Sequence, residues 1–341
     1  MASSRQPNLF LQCRPPFKDK QIAQWHTEFC SVASRELVLL VPDRIELHVS
    51  PSQIFSGLGK RFEEAKLVVF GVPFDKTSTY RAGSKFAPAA IREASLNIET
   101  YSFRSKFDLE DAQICDIGDL HVVDSVDETM RRLSAVESEI LRVSKIPVAM
   151  GGEHTISFGT TRSFPSDIGI VCCDAHADMR DEYMGEKLMH ATFLRRIIEN
   201  IGSDKIVHVG LRALCKEELA FVERNHVRHF SMRDLKRHDA KEDARLVRRA
   251  VSEFGKLYVT IDMDVFDPGF APGVGNPEPD GMWPDLFFTI LTELCDERLA
   301  GLDLVELSPN FDNGVTAALA AKVIFEAICA EESARKKTSG K

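Results

Sequence analysis

Two short acidic motifs, each set directly after a continuous apolar run, constrain this chain most. Residues 168–173 (IGIVCC) lead into Asp174, Ala175, His176, Ala177 and Asp178, and residues 256–261 (KLYVTI) lead into Asp262, Met263 and Asp264. An apolar run without alternation reads as a strand buried on both faces, the mark of a parallel sheet covered by helices. Further strands are expected at 67–72, 114–117, 147–150, 205–211, 227–230 and 301–305. Helical patterns fall between them, at 88–95, 127–143, 191–200, 216–225, 241–254, 284–295 and 315–328. This alternation predicts an α/β fold: a three-layer α/β/α arrangement around a mostly parallel central sheet of about eight strands.

In open sheets of this class, ligands bind beyond the carboxyl ends of the strands. The chemistry-bearing residues lie there. Alternate strand residues share a face, about 6.6 Å apart at about 3.3 Å per residue. Asp174, His176 and Asp178 therefore start on one side, as do Asp262 and Asp264. A lone Asp-x-Asp is often only a solvated loop end. Here several such motifs coincide, and residues 151–154 (GGEH) add His154. Four carboxylates and two imidazoles are too many hard ligands for one ion. They suit two divalent ions side by side, and a two-ion site that holds a water is a hydrolase site. Oxygen and imidazole ligands without thiolate fit Mn²⁺ better than a structural zinc site. Two dications would cancel four aspartates, so the ions belong in any account of the field in the cleft.

At 341 residues with 44% hydrophobic content, the chain can bury a large core, and no linker or charge block divides it. A net charge of −9 argues against an electrostatically driven nucleic-acid binder. It suits a small cationic substrate, though mild acidity is common in cytoplasmic proteins. Eight cysteines without a CxxC pair read as reduced thiols rather than a disulfide framework. No apolar run approaches the ~20 residues of a membrane span, and MASSRQPNLF at the start lacks a long apolar segment, so neither a membrane span nor a secretory signal is expected. Three regions follow: 1–62, an extension of open role containing Pro15, Pro16 and the apolar residues Leu37 to Val41; 63–330, the catalytic domain; and 331–341, a polar tail expected to fray.

The stretches GGEH (151–154), DAHAD (174–178), MHAT (189–192) and DMDVFDPGFAPGVGNPEP (262–279) resemble the ureohydrolase family, the arginase and agmatinase superfamily. The resemblance runs from about Leu67 to Cys329. It implies an enzyme with two Mn²⁺ ions that hydrolyses a guanidino group to urea and an amine, working as a homo-oligomer, a trimer or a hexamer; the reduced thiols place it in the cytoplasm. It implies that His154, Asp174, Asp178 and Asp262 hold one ion, and that Asp174, His176, Asp262 and Asp264 hold the other. It further implies that His190 relays protons and that Glu306, in LVELSP (304–309), grips the guanidinium. Two departures, Asn276 for a usual threonine and Asp280 for a usual glycine, bear on the edge of the pocket.

The remaining histidines read as ordinary. His26, His48, His226, His229 and His238 lie in polar surroundings, His121 is a weaker alternative ligand, and His208 reads as a strand histidine satisfied by hydrogen bonding. The loop after DAHAD contains Asp181, Glu182 and Glu186 and neither Asn nor Ser. An acidic rim suits a substrate with a second cationic end, so Asp181 and Glu182 are candidate substrate contacts and agmatine is the first choice, with putrescine as the amine product. Arg180 and Lys187 are the counter-argument. The alternatives are arginine, guanidinobutyrate or formiminoglutamate as substrate; more distantly, an amide deacetylase or a non-catalytic homologue, which metal content would separate.

Overall fold

The computed structural model describes residues 43–339. Residues 15, 16, 26 and 37–41, discussed above, lie outside them. Nine strands form one sheet: β1 Val49–Ser50, β2 Leu67–Gly71, β3 Ile114–Leu120, β4 Ile146–Met150, β5 Gly169–Cys173, β6 Ile206–Leu211, β7 Arg228–Ser231, β8 Leu257–Asp262 and β9 Leu299–Val305. Their order across the sheet is β1-β3-β2-β4-β9-β8-β5-β6-β7. Eight strands run parallel, and only the two-residue β1 pairs antiparallel, on β3.

The apolar runs become central strands because both faces of each are covered. Val69, Val148, Val171, Val259 and Leu302 point to one side. There they meet helices α1 (Ala87–Ser95), α6 (Ala240–Ala250), α7 (Pro284–Leu294) and α8 (Val315–Ser339). Val68, Phe70 and Ala149 point to the other side, against α2 (Val126–Arg142) and α3 (Ile156–Thr161). Ile170, Cys172 and Tyr258 meet α4 (Phe193–Ile201) and α5 (Lys216–Arg224) on that same side. Successive side chains of one strand thus enter opposite layers, as the pleat requires. Ser125 caps α2 and Asp239 caps α6, each accepting a backbone N–H three residues on.

The structure differs from the sequence reading in two places. Residues 43–62 are tied to the sheet: Ile45, Phe55 and Phe62 are buried, and Val49 pairs with Leu120. The polar tail from Glu331 does not fray, because α8 continues to Ser339. Its polar residues have partners inside: the Gln113 N–H donates to Glu332 at 3.0 Å, and Ser333 Oγ donates to the Ser105 carbonyl at 2.9 Å.

Candidate metal centre and substrate cleft

Four adjacent strands, β4, β9, β8 and β5, end beneath one cleft, and each delivers part of the site. After β4 the chain turns through Gly151 and Gly152, at φ +67° and +106°. A Cβ at Gly152 would lie 2.5 Å from the Val72 carbonyl oxygen, so only glycine lets the turn sit against the neighbouring strand. That turn carries His154 inward to full burial. Asp174, His176 and Asp178 follow β5. Asp262 ends β8, and its carboxylate accepts the Asp264 N–H at 2.7 Å, which curls the chain into the turn that aims Asp264.

The structure brings the six expected ligands together. His154 Nδ1 lies 3.1 Å from Asp174 Oδ2, 3.1 Å from Asp262 Oδ2 and 3.8 Å from Asp178 Oδ2. His176 Nδ1 lies 2.9 Å from Asp264 Oδ2 and 3.8 Å from Asp174 Oδ1. Asp174 therefore turns one carboxylate oxygen to each histidine. His154 Nδ1 and Asp174 Oδ2 are buried and neither has a hydrogen-bond partner. Buried polar atoms without partners are costly. Burial and the neighbouring carboxylates push Asp178 and Asp262 well above the usual carboxylate range. Crowded carboxylates facing open imidazole nitrogens fit a pair of divalent cations. Cys172 also approaches His154 and Asp174, but burial holds its thiol far up and protonated.

A supporting layer fixes the imidazoles. His154 Nε2 bonds Thr260 Oγ1 at 2.9 Å, and its ring stacks on Phe193 at 4.0 Å between centroids. His208 meets the expectation of a satisfied strand histidine only in part: its Nε2 lies 2.7 Å from the His176 carbonyl oxygen, while its buried Nδ1 has no hydrogen-bond partner. Such outer contacts select the tautomer and the direction of a ligating ring.

Glu306, just past β9, sits at φ +63°, a strained conformation for a residue with a side chain. Its N–H donates to the Gly152 carbonyl at 2.9 Å, and its Oε1 accepts the His154 N–H at 2.7 Å. Burial, then the nearby Glu153, raises its carboxyl to about 8. His190 is buried in the wall, and burial, then His176 and His154, lowers its imidazole to about 4. It is a neutral ring at pH 7, rather than one titrating near neutrality.

The cleft above these groups measures about 450 Å³. Its wall includes Thr79, Tyr80, Arg180, Tyr183, Glu218, Asn276 and Glu278, but neither Asp181 nor Glu182. The acidic-rim expectation is corrected here. Asp181 is drawn away by α4, its carboxylate lying 2.8 Å from Arg196 Nη2 and 3.4 Å from Arg195 Nη2. Glu182 is exposed to solvent. Arg180, the counter-argument, lies over the Tyr183 ring at 4.7 Å with Nε 3.9 Å from Glu218. Glu278, which the charge pattern of the rim loop did not single out, has no ion-pair partner among the described residues; the signal lay in the NPEP stretch. Thr77 and Thr79 were likewise missed.

Residues 65–330 match the model of the arginase family, and the chain belongs to that family. It is a ureohydrolase, a hydrolase acting on the C–N bonds of linear amidines, in a family with a binuclear metal centre. An agmatinase of Bacillus cereus is 34% identical over 270 residues, covering 76% of this chain and 89% of that protein. An N(1)-aminopropylagmatine ureohydrolase of Thermococcus kodakarensis is 34% identical over 276 residues, covering 78% and 91%. The crystal structure of the agmatine ureohydrolase of Thermoplasma volcanium superposes with a TM-score of 0.79 at 37% identity, covering 84% of this chain and 97% of that one.

Proposed function

We propose that this chain hydrolyses agmatine to putrescine and urea, a step of polyamine biosynthesis, at a centre of two Mn²⁺ ions. The observation that carries the reading is Asp174, which turns one oxygen to each of two histidine–carboxylate groups. His154, Asp174, Asp178 and Asp262 would hold one ion, and Asp174, His176, Asp262 and Asp264 the other. Ions so held lower the pKa of a bound water and supply hydroxide near neutral pH.

The side chains do the rest. Glu306 faces the cleft with a carboxylate whose flat fork matches a planar guanidinium. Its raised pKa falls when that cation arrives, because the buried charge then has a partner. Asp178 accepts a hydrogen bond from the attacking oxygen and aims it at the guanidinium carbon. The new C–O bond forms, the C–N bond to the butyl amine breaks, and that amine leaves with a proton. His190, on the cleft wall, passes protons between cleft and solvent.

Agmatine is favoured over a guanidino acid by the far wall. The cation there, Arg180, is already answered by Tyr183 and Glu218, whereas Glu278 is open to a second ammonium group. The names of the Bacillus and Thermoplasma relatives support the same substrate. A cytoplasmic homo-oligomer, trimer or hexamer, is proposed with it; among the described residues no helix is long and apolar enough to cross a membrane. The test is urea release by manganese-loaded protein with agmatine, arginine and guanidinobutyrate in parallel. Agmatine is expected to be preferred. Urea from guanidinobutyrate or arginine alone would sink the assignment of the far wall and leave the ureohydrolase chemistry standing.

A further inference from the structure

Glu153 sits beside a ligand yet faces away from the ligand cluster. It is fully buried, with no cation against it, and its carboxyl oxygens are met by neutral donors. The Thr77 N–H donates to Oε2 at 2.7 Å, Thr77 Oγ1 donates to Oε1 at 2.5 Å, and Thr155 Oγ1 donates to Oε1 at 2.7 Å. Ser78 Oγ adds a longer contact at 3.4 Å. The Glu153 N–H in turn donates to the Phe74 carbonyl at 2.8 Å. One carboxylate thus gathers the loop that follows β2.

That loop also holds His190. The His190 N–H donates to Thr77 Oγ1 at 3.0 Å, and Thr79 Oγ1 lies 3.2 Å from His190 Nε2. The donors run in one direction: His190 N–H to the Thr77 hydroxyl, and the Thr77 hydroxyl to Glu153. Thr77 spends its proton on the carboxylate and so offers its lone pairs to the histidine backbone. Burial strengthens such a chain of hydrogen bonds as a whole.

We infer that Glu153 and Thr77 are positioning residues that hold His190 over the cleft, coupling the turn that carries His154 to the group that moves protons. The inference rests on the reading of His190 as a proton relay. Its prediction is selective: disturbing Thr77 should slow proton movement without loosening metal or substrate, because neither residue touches them.

The test uses the full chain loaded with manganese. Thr77→Val keeps the shape and removes the hydroxyl; Thr77→Ser restores it. Thr77→Val should lower kcat about five- to tenfold, the worth of a buried hydrogen bond. KM for agmatine and two manganese ions per chain should be unchanged, and Thr77→Ser should recover most of the rate. In a double-mutant cycle with His190→Asn, the loss from Thr77→Val should vanish. A Thr77→Val loss that persists in full on the His190→Asn background overturns the inference, as does a loss traced to missing metal. If Thr77→Val does not fold, Thr77→Ala is read in the same cycle with the same outcomes. Full activity in His190→Asn alone would instead overturn the relay role, and the inference with it.

Discussion

The floor of the cleft and its far wall are built differently. The floor comes from the ends of four central strands, where the proposed ligands are buried, His176 only partly, and each is held by the backbone turn that carries it. The wall comes from segments after β2, β5, β6 and β8, whose side chains answer to helices and loops elsewhere in the chain. Floor residues have almost no freedom to point elsewhere. Wall residues do, and Asp181, captured by Arg195 and Arg196 of α4, shows the consequence. The chemistry of such an enzyme is thus rigidly specified, while its choice of substrate rests on groups that a nearby charge can redirect.

The sharpest way to break this contrast is to remove a floor ligand. Asp174→Ala or Asp262→Ala should lose bound manganese and lower urea production by at least about a thousandfold, since the ions supply the nucleophile. Metal analysis beside the assay checks it, and normal turnover with full metal would refute the bridging assignment. Next comes Glu306→Gln, which keeps both ions but presents an amide where a carboxylate fork is needed. A fall in kcat/KM on the order of a hundredfold is expected, the scale for one electrostatic contact to the transition state.

On the wall the expected effects shrink. Glu278→Gln should raise KM for agmatine about threefold to fivefold, the scale of a partly exposed ion pair. It should leave an alkylguanidine without a second amine unaffected. Asp181→Asn and Glu182→Gln should change KM by less than about 1.5-fold, because neither lines the cleft. A larger change from either than from Glu278→Gln would restore the acidic rim.

The smallest effect concerns pH and stability. Burial lowers His208 from 6.5 to about 4. Below pH 6.5 the unfolded chain takes up a proton that the folded one refuses, so stability present above 6.5 is lost as pH falls toward 4. His208→Gln should flatten that part of the acid limb in a thermal melt. An unchanged slope would mean the ring is not held neutral.

The eight parallel strands, and five of the six proposed ligands, could be picked out in the sequence because each follows a local pattern, an apolar run and then polar residues at spacing two; His154 stood out only as part of GGEH. What escaped reading was short or non-local. Two-residue β1 and six-residue α3 are too brief to show a period. The end of α8 looked polar because the partners of Glu332 and Ser333 lie more than two hundred residues away. The bond from Thr77 to Glu153 spans 76 positions, and no spacing rule reports it.

The strand order carries one more consequence. His154 belongs to the half of the sheet that ends in β4, and the other five ligands to the half that ends in β8. Only β9, the last strand of the chain, lies between them. Without that strand the two halves share no strand edge, and the first histidine meets the aspartate side only through side-chain contacts such as those to Thr260 and Phe193. That strand is thus the keystone of the site, the single piece of sheet that sets the first histidine in register with the other five groups.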